Sequence, residues 1–117
     1  MTIQTKRIYE AISESDGKRV LVDRLWPRGI KKETAQIDWW AKDITPSNEL
    51  RKWYHEDMEG RWDEFQQKYQ AELSNDSSAL EELKAISEKE TVTLISAVKN
   101  IDHSHVTVLI KVLQQHK

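Results

Sequence analysis

Residues 19–29 read Arg19-Val20-Leu21-Val22-Asp23-Arg24-Leu25-Trp26-Pro27-Arg28-Gly29, and the fold turns on how this stretch is read. Its opening is apolar and β-branched enough for a buried strand, so the polar cluster that follows stands at that strand's carboxyl end. Pro27 fixes its own φ and biases Trp26 away from helix, while Gly29 admits backbone angles that other residues avoid. The chain therefore has to turn here. In sheets of parallel strands this edge is where ligands sit, and a rigid turn carrying two arginines is a candidate grip for an anion.

Working outward from it, residues 3–9 alternate Ile3, Thr5, Arg7 and Tyr9 against Gln4, Lys6 and Ile8, which predicts a first strand. Turn formers at residues 13–17 should join it to the strand of residues 20–25 by a short loop or hairpin. Downstream, the polar residues 31–34 lead to Ile37, Trp39 and Ala41. Their alternation favours strand or extended chain over residues 37–44, ended by Thr45-Pro46.

Four helices follow from spacing. Ser47 is a good N-cap with Glu49 in the first turn, and Leu50, Trp53 and Tyr54 share a face up to about His55. Trp62, Phe65, Tyr69 and Leu73 form the stripe of the next helix, which stops near residues 75–78, and Leu80, Leu83 and Ile86 line a third. Residues 91–98 are almost continuously apolar, as a strand covered on both faces requires. A last helix after His103-Ser104 carries Val106, Leu109, Ile110 and Leu113 on one side. The order predicts one α/β domain over residues 1–117, a layered sandwich whose small, mixed or mostly parallel sheet is flanked by helices.

Composition narrows the function. A chain of 117 residues with 32% charged residues and a net charge of −2 suits a soluble globular protein better than a general polyanion binder. The charge is uneven: residues 1–32 hold eight Lys/Arg against four Asp/Glu, and the rest hold ten against sixteen. The basic portion is the one with the Arg24/Arg28 turn. The absence of cysteine, of a membrane-length apolar run and of an apolar leader predicts a cytoplasmic protein. With three glycines, no GxGxxG and no GxxxxGK[ST], no nucleotide cofactor held by such loops is expected; with no cysteine and no HExxH, neither is a metal.

A longer pattern runs through the chain: residues 20–29, Trp40 with Lys42, Thr45-Pro46-Ser47 with Glu49-Leu50-Arg51 and His55, Phe65 with Tyr69, Glu72-Leu73, Thr93-Leu94, Ser96-Ala97, Lys99, and His105 ahead of Val108-Leu109. Together these residues resemble the YeaO-like family of bacterial domains of unknown function. The resemblance covers nearly the whole chain, and its motif DRLWPRG is long and rare. It implies a small cytoplasmic α/β protein of a family without an established activity.

The residues themselves suggest a site. Arg24 and Arg28 can offer guanidinium forks to phosphate or carboxylate, unless Asp23 and a helix carboxylate pair with them internally. Trp26 can wall a ring-bearing ligand or belong to the core. Ser47, first of all a cap, stands where a helix start concentrates N–H donors, and Lys42 shortly before it would add charge. His105 opens the last helix just after the apolar strand, so with Lys99 it shares the edge of residues 23–29 if the two strands run parallel. There Asp23 would orient its imidazole for proton transfer.

Asp23, His105 and a serine, Ser47 or Ser96, also supply the parts of a triad, though no Gly-x-Ser-x-Gly elbow accompanies them. The expected function is binding of a small anionic ligand at the strand ends, with metal-independent hydrolysis or group transfer as the chemistry if there is any. The rivals are a nucleic-acid binder using the basic amino-terminal third, and a structural interaction module without a ligand.

Overall fold

The computed structural model describes residues 2–75 and 77–115. Strands β1 (Ile3–Arg7), β2 (Lys18–Leu21), β3 (Trp39–Trp40) and β4 (Val92–Ser96) form one sheet in the order β1-β4-β2-β3. All neighbouring pairs are parallel, with Val20 and Thr5 both opposite Leu94. The last strand in sequence thus lies between the first two. Every residue of β4 is buried, so its apolar side chains belong at the sheet centre. That placement makes β1 and β2 parallel and separated by β4, so the connection expected as a short loop or hairpin is a crossover, and the sheet is wholly parallel.

Among the described residues five helices accompany the sheet: α1 (Lys32–Ala35), α2 (Asn48–His55), α3 (Trp62–Asn75), α4 (Ser77–Lys89) and α5 (His105–Gln115). The single turn α1 forms where the sequence shows only a polar passage, and it ends at Gln36 with a left-handed φ of 51°. Residues 37–44 are strand for only two residues and then coil into a 3-10 turn, Lys42–Ile44. The cause is packing. Trp39 meets the helix-side core and Trp40 the opposite cluster, after which Ala41 and Ile44 both have to reach the helix side. Of the expected turn at residues 75–78, Asp76 lies outside the described residues.

One sheet face, with Val20, Val22, Val92 and Leu94, packs against Tyr54, Phe65, Tyr69, Leu83, Leu109 and Leu113 of α2–α5. Burying each such side chain stabilises the fold by about 1.5–3 kcal/mol. The other face, with Ile8, Leu21 and Ile95, is covered by Trp26, Ile30, Ile37 and Trp40. The mostly irregular chain between β2 and β3, with the single turn α1 in it, therefore doubles back as a cover over this face. The Trp26 and Trp40 rings meet edge to face at 5.2 Å. Their indole N–H groups donate to Ile30 O and Asp23 O, each at 2.7 Å, which fixes the turn after β2.

The amino end of β2 is closed by charge. Asp16 binds Lys6 Nζ at 2.7 Å and Arg19 at 2.6 Å, and both Asp16 and Arg19 are buried. Burial opposes ionisation of Asp16, but hydrogen bonds from Lys6, the Ser13 N–H and Arg19 outweigh it and hold the pKa down to about 2. Gly17 follows at φ 64°, and a Cβ there would lie 2.2 Å from Thr91 O, so only glycine fits this approach.

Candidate functional site

Because all four strands point the same way, the segments leaving β2 and β4 emerge side by side, and the start of α2 joins them. Between them opens a cavity of about 600 Å³. The segment after β2 contributes Asp23, Arg24, Leu25, Trp26, Pro27 and Arg28. From α2 come Arg51, Tyr54 and His55, from the turn after it Met58, and from the chain after β4 come Lys99, Asn100, His103, Ser104 and His105.

Asp23 stitches these segments together. Its Oδ1 accepts from Ser96 Oγ at 2.7 Å and lies 3.3 Å from His105 Nε2, while its Oδ2 accepts from the Ala97 N–H at 2.8 Å. Burial alone would raise its pKa, yet hydrogen bonds from His105, Ser96 and Ala97 prevail and keep the carboxyl below the ordinary carboxylate range. His105 Nε2 also stands 2.7 Å from Val22 O. A carbonyl and a carboxylate can only accept, so Nε2 carries the proton and donates. Nδ1, the other ring nitrogen, has no partner among the described residues.

The serine geometry is not that of a triad. Ser96 Oγ donates to Asp23, not to the imidazole, and accepts the Val98 N–H at 3.2 Å. Ser104 Oγ donates to Ile101 O and accepts the Val106 N–H. Ser96 is spent on Asp23 and backbone, Ser104 on backbone and Ser47 on Glu72, so none is poised as a nucleophile. Among the described residues no group of three or more His, Cys, Asp or Glu side chains is arranged to hold a metal ion.

The cations are differently disposed. Arg24 Nε donates to Pro46 O at 3.0 Å, with a longer contact to Thr45 O, so it ties the turn to the start of α2 through carbonyls. Neither internal ion pair considered from the sequence, Asp23 with an arginine or a helix carboxylate with one, is present at Arg24 or Arg28. The exposed guanidinium of Arg28 has no hydrogen-bond or ion-pair partner among the described residues, and the same holds for the Lys99 ammonium. Arg51 makes only a 3.4 Å contact with Asn48.

Asp23, Arg24, Trp26, Arg28, Lys99 and His105 therefore share one cavity. Two expected contributors do not. Lys42 lies 3.9 Å over the Trp40 ring, because its segment coils instead of extending. Ser47 caps α2 through the Leu50 N–H at 3.1 Å, and its own N–H and Oγ both donate to Glu72. That helix start already holds a carboxylate from α3, so its positive end is met by a charge from within the protein.

Sequence reasoning missed Arg51 and Tyr54, which line the cavity, and assigned no role there to Met58. Tyr54 reads as core from its place on the apolar face of α2, and its ring does stack on Phe65 at 4.2 Å. Its hydroxyl nevertheless has no partner among the described residues, and burial pushes its pKa up, so it stays protonated. The available signal was Arg51, one turn of helix before Tyr54 and His55 and on the same side.

The sequence profile of a family described as "Inactive DUF488-N3 subclade" matches residues 2–117. An uncharacterised protein of Mycobacterium tuberculosis is 46% identical over 111 residues, covering 95% of this chain and 92% of that protein. The uncharacterised protein YeaO of Escherichia coli is 45% identical over 109 residues, covering 93% and 94% respectively. No solved structure matches.

Proposed function

The chain belongs to the inactive DUF488-N3 subclade as a YeaO-like protein, and from that premise we propose that it binds a small phosphate- or carboxylate-bearing ligand without transforming it. One observation carries the reading. In a protein of net charge −2, the cavity at the strand ends is lined by Arg24, Arg28, Arg51 and Lys99 against a single described carboxylate, Asp23. That carboxylate is already satisfied by its own framework, so the cationic excess faces whatever enters. The size also suits a small molecule, since such sites typically enclose about 300–1,000 Å³.

Binding without turnover follows from what the polar groups are doing. The serines near the cavity are committed to Asp23 and to backbone, and Asp23 acts on the imidazole only by holding it. The word "inactive" in the family's description agrees with this division of labour. The test is calorimetric titration with inorganic phosphate and a panel of small organic carboxylates and phosphates, on wild type and Arg28→Ala. Saturable binding that weakens about fivefold in Arg28→Ala, with the bound compound recovered intact, is expected for loss of one rim cation. Equal binding by both proteins, or binding by neither, would remove the anion site; a changed compound would restore an enzyme.

A further inference from the structure

Resting on the anion reading, we infer that the ligand is an organic acid with an aromatic body, its charged group held at the rim and a hydroxyl at the inner end, and not a compact phosphate or sugar phosphate. The distribution of side chains within the cavity carries this. The free cations Arg28 and Lys99 are exposed, so they belong to the mouth. The wall below them is apolar and in part aromatic: Trp26, Pro27, Tyr54 and Phe65. A sugar phosphate placed there would leave its hydroxyls facing carbon, at the cost of their hydration. A flat ring would exchange water for the same surfaces and gain stacking geometry besides.

The mouth adds to this. Leu25 is 65% exposed and Met58 46%, and both line the cavity from opposite segments. An apolar pair held in water at the mouth of a cationic hollow is suited to close over the body of a ligand. Trp26 cannot drift to accommodate a different shape, because its indole N–H is fixed on Ile30 O and its ring on Trp40.

Two polar groups of the lining, Tyr54 and His105, are far less exposed than Arg28 and Lys99, and they set the inner end. Tyr54 brings a protonated hydroxyl and His105 an Nδ1 without a partner among the described residues, since Nε2 is occupied by Val22 O. A ligand hydroxyl, which both donates and accepts, can pair with either group. A hydroxyaryl carboxylate meets all three demands: charge outside, ring between, hydroxyl within.

The experiment compares 4-hydroxyphenylacetate, phenylacetate, inorganic phosphate and ribose 5-phosphate by titration calorimetry on wild type, Leu25→Ser, Tyr54→Phe and Arg28→Ala. Leu25 is exposed and Tyr54→Phe removes one oxygen, so both variants should keep the fold, which circular dichroism verifies. On wild type, 4-hydroxyphenylacetate should bind about tenfold more tightly than either phosphate, as burying part of a ring predicts. Leu25→Ser should weaken both aromatic acids severalfold and leave the phosphates unchanged. Tyr54→Phe should erase the advantage of 4-hydroxyphenylacetate over phenylacetate.

Phosphates binding as tightly as the aromatic acids, or aromatic binding indifferent to Leu25→Ser, would overturn the inference while leaving an anion site. Indifference of every compound to Arg28→Ala, or no binding at all, would overturn the anion reading itself.

Discussion

Two aspartates bracket β2, and they are used in opposite ways. Asp16, before the strand, is neutralised by two cations, Lys6 and Arg19, in a closed and buried cluster. Asp23, after it, is satisfied by a serine hydroxyl, a backbone N–H and an imidazole. The difference lies in what each leaves over. At the amino end the arginine is consumed in holding the fold, whereas at the carboxyl end a hydroxyl, a backbone N–H and an imidazole hold the carboxylate and Arg28 remains available. A cation is free for a ligand only where the local carboxylate has found other partners.

The contrast breaks most visibly at Asp16. Asp16→Ala strands Arg19 as an unpaired buried charge, and the expected cost is about 3–5 kcal/mol, read from the urea midpoint. Asp23→Ala removes hydrogen bonds but strands no buried cation, so about 2 kcal/mol is expected from the same measurement. A larger loss at Asp23 than at Asp16 would invert the assignment of roles. Arg28→Ala should change stability by under about 0.5 kcal/mol, because nothing inside the protein uses that side chain.

Acid should expose the same asymmetry. Asp16 has a folded pKa of about 2 against an ordinary value of 3.8, so its contribution is present above pH 3.8 and is lost as the pH falls toward 2. Asp23 is also depressed and loses its contribution in the same direction. Urea midpoints followed from pH 6 to pH 2 should therefore fall steeply in wild type. In an Asp16→Asn variant the fall should be shallower, and an unchanged slope would contradict the low pKa.

Much of this arrangement could be read from the chain because its signals are local. The apolar run of β4, the stripes of α3 and α5 and the Ser47 cap depend on neighbours a few residues away, and each stands where its spacing puts it. The cavity's geometry was legible to the extent that parallel strands align their carboxyl ends, which brings Asp23 and His105 together. What escaped was settled at long range. The place of β4 between β1 and β2 depends on which strand most needs both faces covered. The fate of Ser47 depends on Glu72, a residue of α3 that no local pattern connects to it. Lys42 left the expected edge because Ile44 had to reach the helix-side core, and Tyr54 looked apolar until its hydroxyl was found without a partner.

The most direct test is amide chemical-shift mapping on 15N-labelled protein titrated with 4-hydroxyphenylacetate and, separately, with inorganic phosphate. Saturable shifts confined to residues 22–28, 51–58 and 97–105, with residues 6–19 silent, are expected if the two ends of β2 divide structure from binding. Shifts centred on Asp16 and Arg19, or scattered without saturation, would contradict that division.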